Sequence, residues 1–195
     1  MIGSANTLVT TDRGAGEALL LGRKQYGPDR GRLVLPGGKG TEAVLPEDID
    51  PSPLYAAELP QQIAVRETLE ETGLQLPVPG MHYLGHLMIS KQAHHKGLVH
   101  VQDDYHVALF RSRISPAQAA LARNSNELAL EWHPTDQLPY DQMQPDTPAW
   151  LPLALTLQEG ETLQGFITYL DDTPVEQDIF AFRQGQRAVR LTAAG

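Results

Sequence analysis

The segment Arg66-Glu67-Thr68-Leu69-Glu70-Glu71-Thr72-Gly73 decides how the rest of this chain is read. Residues 58–72, which contain it, lack glycine, and their one proline, Pro60, sits near the start, where a helix tolerates it. Gly73 follows as a natural C-terminal cap, so the spacing predicts a helix over 58–72. A helix turns by about 100° per residue, so Glu67, Glu70 and Glu71 share one face. Val65 and Leu69 point the opposite way and are expected in the core. Like charges at this spacing repel by roughly a few tenths of a kcal/mol per pair. A divalent cation reverses that balance, because Mg²⁺ takes hard oxygen ligands and bridges carboxylates to substrate phosphates. The plain alternative is a solvated acidic face.

Working outward, 6–11 and 17–22 read as a β-hairpin, and 32–40 as a strand that ends where Pro36-Gly37-Gly38 stops regular structure. Residues 41–57 hold three prolines and four acids and read as a loop. Further strands are expected at 81–90, 98–112, 128–133, 162–170 and 177–183, with a polar loop at 91–97. A helical turn or two is expected at 116–123 and a second helix at 147–160. Strands and helices interleave without a βαβ rhythm, which points to a mixed α/β or α+β sandwich.

The whole chain has 195 residues and a net charge of −9, from 15 basic and 24 acidic side chains. That length suits a single domain with an insertion. The acidic balance argues against a nucleic-acid polymer or an anionic membrane as partner. Cysteine is absent, which excludes disulfides, a thiolate nucleophile and Cys-ligated zinc. No apolar run is long enough to span a bilayer, and the first residues lack a signal-peptide layout, so a cytoplasmic protein is expected.

The pattern Glu58, seven residues, then Arg66-Glu67-Thr68-Leu69-Glu70-Glu71-Thr72-Gly73-Leu74 resembles the Nudix hydrolase box, G-x5-E-x7-R-E-U-x-E-E-x-G-U, where U is apolar. Thr68 replaces an aliphatic. Pro36-Gly37-Gly38-Lys39 resembles the start of the box, but 19 residues, not five, separate Gly38 from Glu58. The insertion, at about 41–57, costs little closure entropy if its ends stay in place. The resemblance implies a Nudix-type α/β/α sandwich with a mixed sheet and hydrolysis of a nucleoside diphosphate linked to another group. It implies that Glu67, Glu70 and Glu71, with the Gly37 carbonyl, bind Mg²⁺ or Mn²⁺. One glutamate would act as base through a water, and Arg66 would pair with Glu58. A small-molecule nucleotide is the implied partner, and a homodimer is an assembly it allows.

A narrower similarity, to the MutT-homologue branch that hydrolyses oxidised purine nucleoside triphosphates, covers 20–32, 126–152 and 163–172. It implies that Asp146 reads the purine edge, that Lys24 lies on the phosphate side, that Thr7 lines the pocket, and that Met143 and Tyr140 are base-pocket residues. Val34, Pro28, Gln144 and Thr147 depart from that branch, and its loop glutamate falls on Asn124, leaving Glu127 as the nearest substitute metal ligand. A pocket stripped of base-reading groups discriminates weakly. Alternatives are an ADP-ribose, nucleotide-sugar or dinucleoside polyphosphate substrate, or a non-catalytic nucleotide sensor.

Arg23, Lys24, Arg30, Arg32 and Lys39 flank the Gly-Gly turn, with Lys24 and Lys39 the favoured phosphate contacts. His94, His95, His100, His106, Asp103 and Asp104 read as a polar hairpin in preference to a metal site. Trp132 and Trp150 are expected to pack in the core in preference to stacking on a base.

Overall fold

The computed structural model describes residues 2–14, 16–40, 53–95, 98–183 and 186–191. In chain order the elements are β1 (Ile2–Asp12), β2 (Glu17–Lys24), β3 (Leu33–Val34), β4 (Gly37–Lys39), α1 (Pro53–Thr72), β5 (Met81–His95), β6 (Leu98–Ile114), α2 (Pro116–Ala119), β7 (Leu128–Pro134), α3 (Thr147–Thr156), β8 (Glu161–Leu170), β9 (Thr173–Arg183) and β10 (Gln186–Leu191). One mixed sheet runs in the order β10-β9-β8-β5-β6-β1-β2-β3, with β4 on β1 and β7 on β2. The β1–β6 and β5–β8 pairs are parallel and the other pairs antiparallel. This is the expected α/β architecture.

The strand alternation sorts the core into two layers. Leu8, Leu19, Leu21, Leu87 and Leu109 face one way and pack with Trp150, Leu151 and Ala154 of α3. Their neighbours Val9, Leu20, Ala108 and Phe110 face the other way and pack with Ala64 of α1. Successive side chains of a strand point to opposite faces, so each strand serves both layers.

The helix against β1 differs in detail from its sequence reading. It begins at Pro53, so 53–57 of the expected loop are helical, while 41–52 lie outside the described residues. Its buried stripe is Ala64, Thr68 and Thr72, and Leu69 is 45% exposed, contrary to the expectation that Leu69 enters the core. Small side chains fill the stripe because the helix lies against the sheet: Thr68 Oγ1 donates to Thr7 Oγ1 at 3.2 Å.

Three other boundaries move. The Pro36-Gly37-Gly38 turn does not end β structure, because Gly37–Lys39 pairs with Ser4–Asn6. Strand β5 runs on to His95 opposite Leu98, so most of the expected 91–97 loop is ladder. The second helix stops at Thr156, short of Gly160. No described helix is long and apolar enough to cross a membrane.

One feature of β1 positions everything that follows. Its first half pairs with β4 (Ser4–Asn6) and its last residues with β2 (Thr10–Asp12) on the same edge. Between these ladders the edge is open, and Thr7 N donates across the gap to Pro36 O at 2.8 Å.

Gly85 fixes the centre of the sheet. Its φ is +125°, and a Cβ there would meet the carbonyl carbon and nitrogen of Leu163 at 2.7 Å. Gly14 also has a positive φ, +76°, but open space around it. Gly85→Ala is expected to cost on the order of 3 kcal/mol or more, and Gly14→Ala about 1 kcal/mol. Urea denaturation of the two variants measures this, and equal losses would contradict a backbone collision at Gly85.

Candidate active site

A pocket of about 650 Å³, counting its solvent-open part, opens beside Asn6 of β1. Leu33, Leu35, Leu128 and Leu151 give it an apolar lining. Met143 and Trp150 lie deep in its wall, and both are buried. Asn6, Gln144 and Thr147 add neutral polar groups, and Lys24, Gly37 and Glu71 complete the lining.

The end of α1 supplies the acidic groups. Glu71 Oε2 accepts from Gly37 N at 2.8 Å, which fastens the helix to the turn. Burial pushes the Glu71 carboxyl up to about 7; the Gly37 N–H pulls it down, Glu67 and Glu127 push it further up, and Lys24 opposes them. Glu67 lies against Gly38, where its carboxyl occupies the space a Cβ would take. The Arg66 guanidinium bridges Glu67 at 2.7 Å and Glu70 at 3.0 Å, and Nη2 reaches Lys39 O at 3.4 Å. The expected Arg66–Glu58 pair involves a side chain outside the described residues. Gly73, at φ +70°, ends the helix, its N–H donating to Leu69 O at 2.9 Å.

Among the described residues no three His, Asp or Glu side chains stand close enough to hold a metal ion unaided. The donor set nevertheless fits a hard divalent cation. Glu67, Glu71 and Glu127 repel one another beside the Gly37 turn strongly enough to help raise the Glu71 pKa. Mg²⁺ typically takes only one or two protein carboxylates and fills its shell with waters and substrate phosphates, so a preformed cage is not required. Tyr26, which the sequence reading missed, hydrogen-bonds Glu127 beside this group.

Two expected pocket residues sit elsewhere. Thr7 has the wrong strand parity: it shares the α1 face with Ala5 and Val9, is fully buried, and bonds to Thr68. Its neighbour Asn6 takes the pocket position, as the period-two alternation requires. Asp146 is buried beneath the pocket wall and absent from its lining. Its Oδ1 accepts from Tyr169 Oη at 2.6 Å and its Oδ2 from Trp150 Nε1 at 3.2 Å. Burial raises the Asp146 pKa while these two donors lower it. Asp146 therefore orients Trp150, whose ring lines the pocket. Tyr169 had no sequence signal, since it comes from a strand 23 residues away.

The remaining candidates spread out. Lys24 is at the pocket, but Lys39 lies over the Tyr105 ring at 5.9 Å, outside the pocket lining. Arg23 is committed to Glu131 at 2.7 Å and Arg32 to Met143 O at 2.7 Å. Tyr140 packs on the core, outside the pocket lining. Trp132 packs against the α1-side core under the Arg13 guanidinium, 5.2 Å from its ring centroid. In the histidine-rich segment His94 Nδ1 pairs with Asp171 at 2.7 Å, and His106 stacks on His86 at 6.0 Å.

The NUDIX domain family matches residues 3–154. No curated protein matches the sequence. Among solved structures, a MutT protein from Bacillus halodurans is similar at 19% identity, with a TM-score of 0.60 over 92% of this chain and 97% of its own. The NUDIX domain of Shewanella oneidensis NrtR, solved with ADP ribose, shows 15% identity and a TM-score of 0.51 over 80% of this chain and 86% of its own. A Nudix hydrolase from M. smegmatis, RenU, shows 18% identity and a TM-score of 0.50 over 80% and 87%.

Removing the Tyr169 hydroxyl leaves one buried oxygen of Asp146 without its donor. Tyr169→Phe is expected to lower stability by about 1–3 kcal/mol at neutral pH. The hydroxyl bond favours the ionised carboxylate, so the deficit shrinks as pH falls and Asp146 takes up its proton. Thermal unfolding of both proteins across acid to neutral pH measures this, and a deficit that grows on acidification would contradict it.

Proposed function

The chain belongs to the NUDIX domain family, and from that premise we propose that it is a Nudix hydrolase acting on phosphoric anhydrides, whose substrate is a nucleoside triphosphate or another nucleoside-diphosphate derivative, hydrolysed with Mg²⁺ or Mn²⁺. One observation carries this reading: the pocket lining combines apolar and neutral-polar groups with the cluster of Lys24, Gly37 and Glu71. A base and its sugar suit the first part. A diphosphate suits the second, where Lys24 offers a positive charge and Gly37 brings backbone close to the ligand.

A divalent cation held by Glu67, Glu70 and Glu71, with the Gly37 carbonyl and Glu127 at hand, would neutralise the diphosphate and make water a better nucleophile. The chain's own residues do the rest. Burial raises the Glu71 carboxyl to about 7 in the metal-free protein; a cation beside it would keep it ionised, and so able to accept a proton from water. Arg66 holds Glu67 and Glu70 in place from the solvent side. Lys24 draws the phosphate chain to the pocket and away from bulk water. Sanitisation of an 8-oxo-dGTP-type nucleotide falls within this substrate class, but the pocket offers it no acidic reader, because Asp146 is committed to Tyr169 and Trp150.

Glu71→Gln and Glu70→Gln are each expected to cut phosphate or pyrophosphate release from nucleotides by on the order of 10²-fold or more. Circular dichroism checks that the fold survives. Undiminished turnover in both variants would remove these carboxylates from the machinery.

A further inference from the structure

The pocket wall opposite β1 carries an amide of fixed orientation. Gln144 lines the pocket. Its Nε2 donates to Asp29 Oδ2 at 3.1 Å. An ionised carboxylate only accepts, so Asp29 must face the amide nitrogen, which fixes the side of the amide on which Oε1, its one acceptor, lies; the second Nε2 N–H also remains.

Asp29 is itself held. Its loop between β2 and β3 is closed by Gly31 N on Lys24 O at 2.8 Å. Arg23 Nη1 reaches Gly31 O at 2.9 Å, and Arg32 Nη1 reaches Met143 O at 2.7 Å. On the other side, Gln144 O accepts from Thr147 N at 3.0 Å, and Met143 bridges to Leu33. Both partners of the Asp29–Gln144 bond therefore sit on braced backbone.

A free glutamine can present either end of its amide and so rejects little. A glutamine locked by a carboxylate presents its acceptor at one fixed place, and a ligand edge without a donor there leaves that acceptor unpaired. We propose that Gln144 is a specificity-determining residue and Asp29 its positioning residue, so that the pocket selects nucleobases presenting an amino group to Gln144 Oε1. This rests on the nucleotide reading of the pocket given above.

The test uses matched nucleotides that differ by one amino group: GMP against IMP, and AMP against purine riboside monophosphate. Binding to the full chain is read by tryptophan fluorescence, since Trp150 lines the pocket. Turnover is read separately on the corresponding triphosphates. The unmodified protein is expected to bind the amino-bearing member of at least one pair on the order of tenfold more tightly. Gln144→Leu is expected to bring that ratio to within about twofold. Asp29→Asn, which lets the amide turn over, is expected to weaken the preference through KM and not kcat.

A flat response of the unmodified protein overturns the proposal, as does a preference that survives Gln144→Leu. Should Gln144→Leu fail to fold, an unchanged preference in Asp29→Asn overturns it. A base preference in binding without turnover of any triphosphate removes the hydrolytic reading and leaves this one standing. Turnover without base preference removes only this one.

Discussion

The hydrogen bond from Gly37 N to Glu71 is the contact on which the site depends, because it draws an acidic helix end into the fork of the sheet. Burying a carboxylate is costly unless it is hydrogen-bonded. Here the donor is backbone, so no competing side chain is needed, but backbone must come very close. Two glycines make that approach feasible. Gly37 has φ +155° against Ala5 and Asn6, and Gly38 leaves room for the Glu67 carboxyl. A side chain at Gly37 would push β4 off β1, and one at Gly38 would displace the Glu67 carboxyl of α1.

That contact also explains the split of β1 between two partners on one edge. A continuous β1–β2 ladder would cover the edge that Pro36 and Gly37 now reach, and the pocket would close. Opening the edge leaves backbone groups to satisfy, and the Thr7 N to Pro36 O bond satisfies one of them. The two-layer core holds this fork in place, since β1 is held by α1 on one face and by the α3 layer on the other.

Much of this was legible in the sequence, for identifiable reasons. The glycine-free run ending at Gly73 marked α1, and the Pro-Gly-Gly turn marked a place where backbone meets a ligand or a neighbour. Both signals are local. Leu69 was misread because helical spacing says which residues share a face, not which face the sheet will take. Small residues won the contact because α1 lies close to β1. Thr7 was misread for a similar reason: one residue of register exchanges the two faces, and only the pairing with β4 and β6 fixes it. For Asp146 the family resemblance implies a ligand contact, while its partners in the fold, Tyr169 and Trp150, come partly from a distant strand that no local pattern connects to it.

The fate of Asp146 bears on how the pocket recognises anything. A carboxylate facing an apolar chamber would have to be paired by the ligand or protonated, since burial alone raises its pKa. This chain pairs its carboxylate internally and turns the indole of Trp150 to the pocket instead. The groups left to read a ligand, Asn6, Gln144 and Thr147, are all neutral. Formal charge in the lining comes from Lys24 and Glu71, which act on each other beside Gly37. The neutral wall discriminates through unpaired hydrogen-bonding groups, and the ionic pair interacts with phosphates that every nucleotide carries. A substitution in the wall should therefore change which nucleotide is chosen, and one in the ionic pair should change how fast any of them reacts.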